Sequence, residues 1–155
     1  MPDWLTHSLV GWITGKTTKL EVSLIVIGAL VPDISKIALV FKWIFNKDFL
    51  SLFYPIHTPL GALLIIGFLS LFFLDYKKTL LLLGMGVATH FILDFLLMNT
   101  SGGMILLFPF SWEQWQLQLI RSDDYLVTIA AVIAAFFVYL VYFLYEQQRT
   151  LKKTP

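Results

Sequence analysis

The sequence contains no cysteine, which removes disulfides, thiolate metal ligands and thiol redox chemistry together. It is also poor in charge: Asp, Glu, Lys and Arg make up 14% of its 155 residues, against about a quarter in soluble domains. The eleven basic and ten acidic residues leave a formal charge of +1, without the basic face that a nucleic-acid binder needs. There is no phosphate-binding glycine loop, no serine-nucleophile elbow, no internal repeat and no low-complexity segment. Asp3 stands where a secretory signal would carry a basic residue, so no cleaved targeting peptide is expected.

What the chain has in abundance is apolar length. Hydrophobic residues reach 58% and the mean hydropathy is +0.80, so the expected class is all-α, a polytopic integral membrane helical bundle. The length fits a single membrane domain over residues 1–155. Residues 125–145 hold no charge and are flanked by Tyr125 and Tyr145. About 20 apolar residues cross the hydrocarbon core, and interfacial tyrosines anchor such spans. Residues 79–98 form a second span, interrupted only by His90 and Asp94, and residues 59–74 a third, opened by Pro59. Residues 20–31 are apolar but short, and Pro32-Asp33 stops or kinks them. Residues 37–45 continue as an interfacial helix carrying Lys42. A short or re-entrant first helix over residues 3–13 ends at the polar turn Gly15-Lys16-Thr17-Thr18-Lys19. Three or four spans are expected.

Basic residues orient the chain. Lys16, Lys19, Lys77, Lys78, Arg149, Lys152 and Lys153, seven of the eleven, fall on one side if residues 20–31 cross outward. That side is the cytoplasm, with the tail at 146–155 inside and the loops 45–54 and 99–124 outside.

Five ionisable residues interrupt the apolar segments: His7, Asp33, His57, His90 and Asp94. Each costs about 2.5–3.5 kcal/mol near the middle of a membrane helix and is a functional candidate by default. His90 and Asp94 are one helical turn apart on one face. At about 1.5 Å per residue, His7, Asp33, His90 and Asp94 stand roughly 14–22 Å above the cytoplasmic ends of their helices. His57 precedes the outer end of its span and dips inward to meet them. The five converge on one layer in the outer half of the membrane.

Imidazole and carboxylate groups suit Zn²⁺, with Mn²⁺ or Mg²⁺ as alternatives. Such a site would activate water against an ester or phosphoester, plausibly of a membrane lipid because of its depth. The ligands of first choice are His7, His57, His90 and Asp33. Asp94 is a ligand or the general base, and a spare carboxylate, Asp33 or Asp94, takes the base role. The alternative is a non-catalytic membrane protein, an ion or proton conduit or an assembly factor, whose same residues form a polar relay or a structural metal site.

The ordered elements Thr6-His7, Gly28-Ala29-Leu30-Val31-Pro32-Asp33-Ile34, His57-Thr58, Thr89-His90-Phe91-Ile92-Leu93-Asp94 and Leu107-Phe108-Pro109 resemble the family of membrane-bound metal-dependent hydrolases that includes a LexA-regulated inner-membrane protein. The resemblance runs from about Thr6 to Phe110. It implies a helical inner-membrane domain, a metal site at His7, Asp33, His57, His90 and Asp94, and hydrolase activity. This chain departs from the family pattern at Ser35, where a second aspartate is common, and at Tyr54-Pro55-Ile56, where His-Arg-Gly is frequent. Two potential ligands of a second metal are therefore absent.

Three lesser features complete the reading. Thr100-Ser101-Gly102-Gly103 is a flexible turn, and Phe108 to Phe110 with Trp112 and Trp115 an interfacial segment. Lys36, Lys42 and Arg121 are placed to meet lipid phosphates or to snorkel.

Overall fold

The computed structural model describes residues 4–46, 53–98, 102–121 and 125–151. Asp3, Thr100, Ser101, Lys152 and Lys153 lie outside them, as do parts of both expected outer loops.

The chain is mostly helical. Helix α1 is Trp4–Thr18, α2 Val22–Leu30, α3 Ile37–Phe45, α4 Pro59–Ser70, α5 Tyr76–Leu96 and α6 Leu126–Leu151, with 3₁₀ turns at Pro32–Lys36 and Tyr54–His57. Helices α5 and α6 are long and apolar enough to cross a membrane, and α2 with the Pro32–Phe45 segment, bent by 40°, makes a third candidate. The expected third span, residues 59–74, is helical through Ser70, and among the described residues the candidate spans number two or three, where three or four were expected. Large apolar side chains such as Leu64, Phe72, Ile133 and Phe137 face outward, as a lipid-facing surface requires.

The first helix corrects the expected turn at residues 15–19. It continues through Gly15 and Lys16, and Thr14, Thr17 and Thr18 satisfy their hydroxyls on carbonyls four residues back. It stops at Lys19, whose φ is 59°. The chain then reverses, and α2 packs antiparallel on α1. A Cβ on Gly15 would sit 2.8 Å from Val22 Cα, and one on Gly11 3.1 Å from Ala29 Cβ. Small residues let helix backbones approach in this way.

The closest crossing joins α2 and α5. A Cβ on Gly28 would lie 2.1 Å from the Leu83 carbonyl oxygen, and one on Gly86 2.1 Å from that of Ile25. Two glycines thus face the partner backbones at the same level. Helices α2 and α5 run parallel, since Glu21 at the start of α2 pairs with Lys78 at the start of α5. Around this crossing Ile25, Val31, Ala62, Ile66, Leu83, Val87 and Met104 form the apolar core.

Helix α6 docks on α1 with two polar contacts: Thr6 Oγ1 and Thr128 Oγ1 are 2.9 Å apart, and Tyr142 donates to the Lys16 carbonyl at 2.6 Å. After α5 the chain adds four two-residue strands, a small departure from a purely helical class. β1 (Leu97–Met98) pairs parallel with β4 (Ile120–Arg121), Leu97 opposite Ile120. β2 (Met104–Ile105) pairs antiparallel with β3 (Gln114–Trp115), Met104 opposite Trp115. These strands exist because the last carbonyls of a helix lack intrahelical partners. Leu117 and Leu119 amides donate to the carbonyls of Phe95 and Leu96 at 2.8 and 3.0 Å.

Candidate metal centre

Four elements deliver one side chain each, or two, to a single point. His7 comes from the first turn of α1, Asp33 from the 3₁₀ turn after α2, His57 from the end of the 3₁₀ turn before α4, and His90 with Asp94 from the last turns of α5. All five residues singled out in the sequence are brought together. Lys16, Lys19, Lys78 and Arg149 lie at the far ends of these helices, so the cluster and the basic residues occupy opposite ends of the bundle.

Asp94 is the hub. Its Oδ1 is 3.5 Å from His7 Nε2, and its Oδ2 is 3.2 Å from His57 Nε2 and 3.3 Å from His90 Nε2. The Nε2 atoms of His57 and His90 are 3.2 Å apart. Asp33 Oδ1 stands slightly farther off, 3.8 Å from His57 Nε2 and 3.9 Å from His90 Nε2. The rings of His7 and His90 stack with centroids 3.8 Å apart.

Burial is nearly complete. The side chains of His7, His90, Asp33 and Asp94 are 0–1% exposed, and that of His57 is 10% exposed. Yet the groups are not satisfied by one another. Among the described residues, the buried side-chain polar atoms without a hydrogen-bond partner are His7 Nδ1 and Nε2, Asp33 Oδ1 and both oxygens of Asp94. All belong to this cluster. Buried polar atoms left unpaired are rare and costly, and a divalent cation would satisfy His7 Nε2 and the carboxylate oxygens together.

The geometry fits such an ion. A tetrahedral site with ligand bonds of about 2.0–2.1 Å separates its ligand atoms by about 3.4 Å, and the contacts above bracket that value. Candidate ligand atoms of His7, His90 and Asp94 lie within 4.8 Å of one another, as do those of Asp33, His57 and His90. Three imidazoles with carboxylate suit Zn²⁺ better than the all-oxygen ions Mg²⁺ or Ca²⁺.

Local structure aims the ligands. His90 donates its Nδ1 proton to the Ala29 carbonyl at 2.7 Å, which leaves the Nε2 lone pair facing the cluster. His57 is set by Thr58, the N-cap of α4, whose hydroxyl donates to the Pro55 carbonyl at 2.7 Å and accepts from the Gly61 amide at 3.1 Å. A Cβ on Gly61 would lie 2.0 Å from the Pro55 carbonyl oxygen, so only glycine lets the turn fold back onto the helix.

Two residues of this site were not singled out from the sequence as site residues. Lys36, expected at lipid phosphates or snorkelling, donates to Asp33 Oδ2 at 2.7 Å. Its spacing of three from Asp33 was the available signal. Thr58 was legible as a Thr-Pro helix start, though not as a clamp on His57. Ser35 turns its hydroxyl to the Pro32 carbonyl at 3.1 Å.

The sequence profile of the YdjM inner membrane protein family matches residues 3–151. No curated protein matches the chain. No solved structure matches it either. Since that profile covers nearly the whole length, including all four elements that build the cluster, the chain belongs to the YdjM inner membrane protein family.

Proposed function

We propose that this protein is a membrane-embedded metal-dependent hydrolase acting on an ester or phosphoester, with a membrane lipid as the substrate class. The observation that carries the reading is the convergence of three imidazoles and two carboxylates on one buried point, where atoms of His7, Asp33 and Asp94 have no hydrogen-bond partner. His7, His57, His90 and Asp94 would hold one divalent ion, Zn²⁺ by donor chemistry. Bound there, the ion would supply Lewis acidity and a lowered water pKa.

The chain's own residues divide the remaining work. Asp94, within 3.5 Å of all three histidines, is the carboxylate ligand. Asp33 is the spare carboxylate: Lys36 holds its Oδ2, and its Oδ1 faces His57 and His90. Asp33 Oδ1 is therefore assigned to take the proton of the attacking water. His57 and Lys36, at 10% and 22% side-chain exposure, mark the side from which substrate arrives, and the Lys36 ammonium is placed to meet a phosphoryl oxygen.

Orientation follows from the separation of the cluster from the basic residues. With the Lys16, Lys19, Lys77, Lys78 and Arg149 end cytoplasmic, the C-terminus is inside and the site lies in the outer half of the bilayer. The short helices α1 and α4 complete a four-span arrangement only where the bilayer thins or flanking residues snorkel.

The test is elemental analysis of the detergent-purified full chain after Zn²⁺ loading, with the His90→Ala/Asp94→Ala variant alongside. One equivalent held by the wild type and lost by the variant supports the centre. Hydrolysis of phospholipid vesicles or a chromogenic phosphodiester, lost in Asp33→Asn while its metal is kept, supports the enzyme. A wild type that binds no metal and hydrolyses neither probe overturns the reading. The near-complete burial of His7, His90 and Asp94 favours a second one, a polar relay or structural metal site. Proton flux abolished by Asp94→Asn, without any hydrolysis, would select it.

A further inference from the structure

We infer that the furrow between α1 and α6, remote from the metal centre, is a binding site for one phospholipid with an anionic headgroup. Helix α6 touches α1 at Thr128 and again at Tyr142. Between these points an apolar cavity of about 410 Å³ opens against Leu9, Trp12, Val26, Ala135 and Phe136. It continues past Trp12 and Tyr139 through a cavity of about 190 Å³. At the other end lies a polar cavity of about 300 Å³ walled by Lys16, Lys19, Tyr142 and Arg149.

Charge and length identify the occupant. The polar cavity gathers three cations and a single carboxylate, Glu146, which stands 3.9 Å from Arg149. Among the described residues Lys16 and Lys19 have no carboxylate partner, and the Lys16 ammonium rests 5.8 Å from the Trp12 ring and 5.6 Å from that of Tyr142. A cation held over aromatic faces stays desolvated on one side and open to an anion on the other. From Ala135 to Arg149 the furrow rises about 21 Å along α6. One leaflet contributes about 15 Å of hydrocarbon, so the furrow holds an acyl chain with its headgroup among the cations. Basic pockets between helices at the cytoplasmic side are the usual seat of anionic headgroups, and a free phosphate would leave the apolar part unfilled.

Native mass spectrometry of the full chain in micelles carrying equal phosphatidylglycerol and phosphatidylcholine tests this. One phosphatidylglycerol is expected to remain bound in preference to phosphatidylcholine. Lys19→Gln and Arg149→Gln should each weaken retention about fivefold, and Lys19→Arg should restore it. Ala135→Trp, which fills the furrow, should abolish it while zinc content is unchanged. Equal retention of both lipids, unchanged retention in the charge variants, or full displacement by glycerol 3-phosphate at matched concentration overturns the inference. Thermal melting of each variant separates loss of the lipid from loss of the fold.

Discussion

The imidazole of His90 and the carbonyl of Ala29, 61 residues apart in sequence, are joined by a 2.7 Å hydrogen bond. That contact is possible because α2 and α5 touch backbone to backbone. It turns a helix crossing into a ligand-orienting device, since fixing Nδ1 as the donor leaves Nε2 for a metal.

Widening this crossing should therefore damage metal binding without touching a ligand. A Cβ at Gly86 would sit 2.1 Å from the Ile25 carbonyl oxygen, and backbone cannot yield as a side-chain tip can. Gly86→Val is expected to cost about 1–3 kcal/mol by overpacking and to weaken zinc affinity by about 10–100-fold through His90. Zinc titration and thermal melting on the same sample check it. An affinity equal to wild type would show that the Ala29 contact does not orient the ring.

How far the sequence foretold this site depends on which residue is asked about. His7, Asp33, His57, His90 and Asp94 stood out because ionisable groups in apolar helices demand a reason. Their depths could be counted from the helix rise alone. Lys36 did not stand out, because a lysine beside a helix end has an ordinary life at the interface. Gly28, Gly61 and Gly86 were silent, since what they permit depends on the backbone that faces them. The extra turn of α1 was hidden by Gly15 and three threonines, poor helix formers that are held helical here by packing against α2, where Gly15 meets Val22. The paired strands after α5 carry no alternating pattern and arise from the helix end they complete.

Asp94 makes a prediction about the metal-free protein. Both of its oxygens are buried without a hydrogen-bond partner, which is unfavourable unless a cation is present. Chelation should lower the melting temperature of the wild type, and zinc at a hundredfold excess over its Kd should restore about 2.7 kcal/mol. Asp94→Leu should melt at or above the chelated wild type and ignore zinc. If chelator leaves wild-type melting unchanged, the cluster holds no stabilising ion.

Lys36 offsets the negative charge of Asp33 beside the proposed ion. Its ammonium donates to Oδ2 at 2.7 Å, drawing off charge that a metal would otherwise share. Lys36→Met is expected to tighten zinc binding several-fold and to lower hydrolysis of phosphoesters, because the same ammonium would no longer meet the phosphoryl group. Competition against a chromophoric chelator measures the first effect and steady-state hydrolysis the second. Weaker zinc binding in this variant would instead make Lys36 a support for the site.

Acid should empty the centre. Three of the ligands are imidazoles, which bind metal only as neutral rings, so protons and zinc compete. Zinc retention should therefore fall on acidification and return on neutralisation, sooner in variants that lack one ligand.

Thr58 isolates the contribution of His57. Its hydroxyl both caps α4 and holds the Pro55 carbonyl, and no cluster atom touches it directly. Thr58→Val should cost about 1–2 kcal/mol from the lost cap and free the 54–57 turn, so that His57 leaves while His7, His90 and Asp94 stay in place. Zinc should then bind more weakly but still stoichiometrically, and Thr58→Ser should recover wild-type affinity. Complete loss of zinc in Thr58→Val with an intact melting transition would mean that His57 is indispensable; unchanged affinity would remove it from the ligand set.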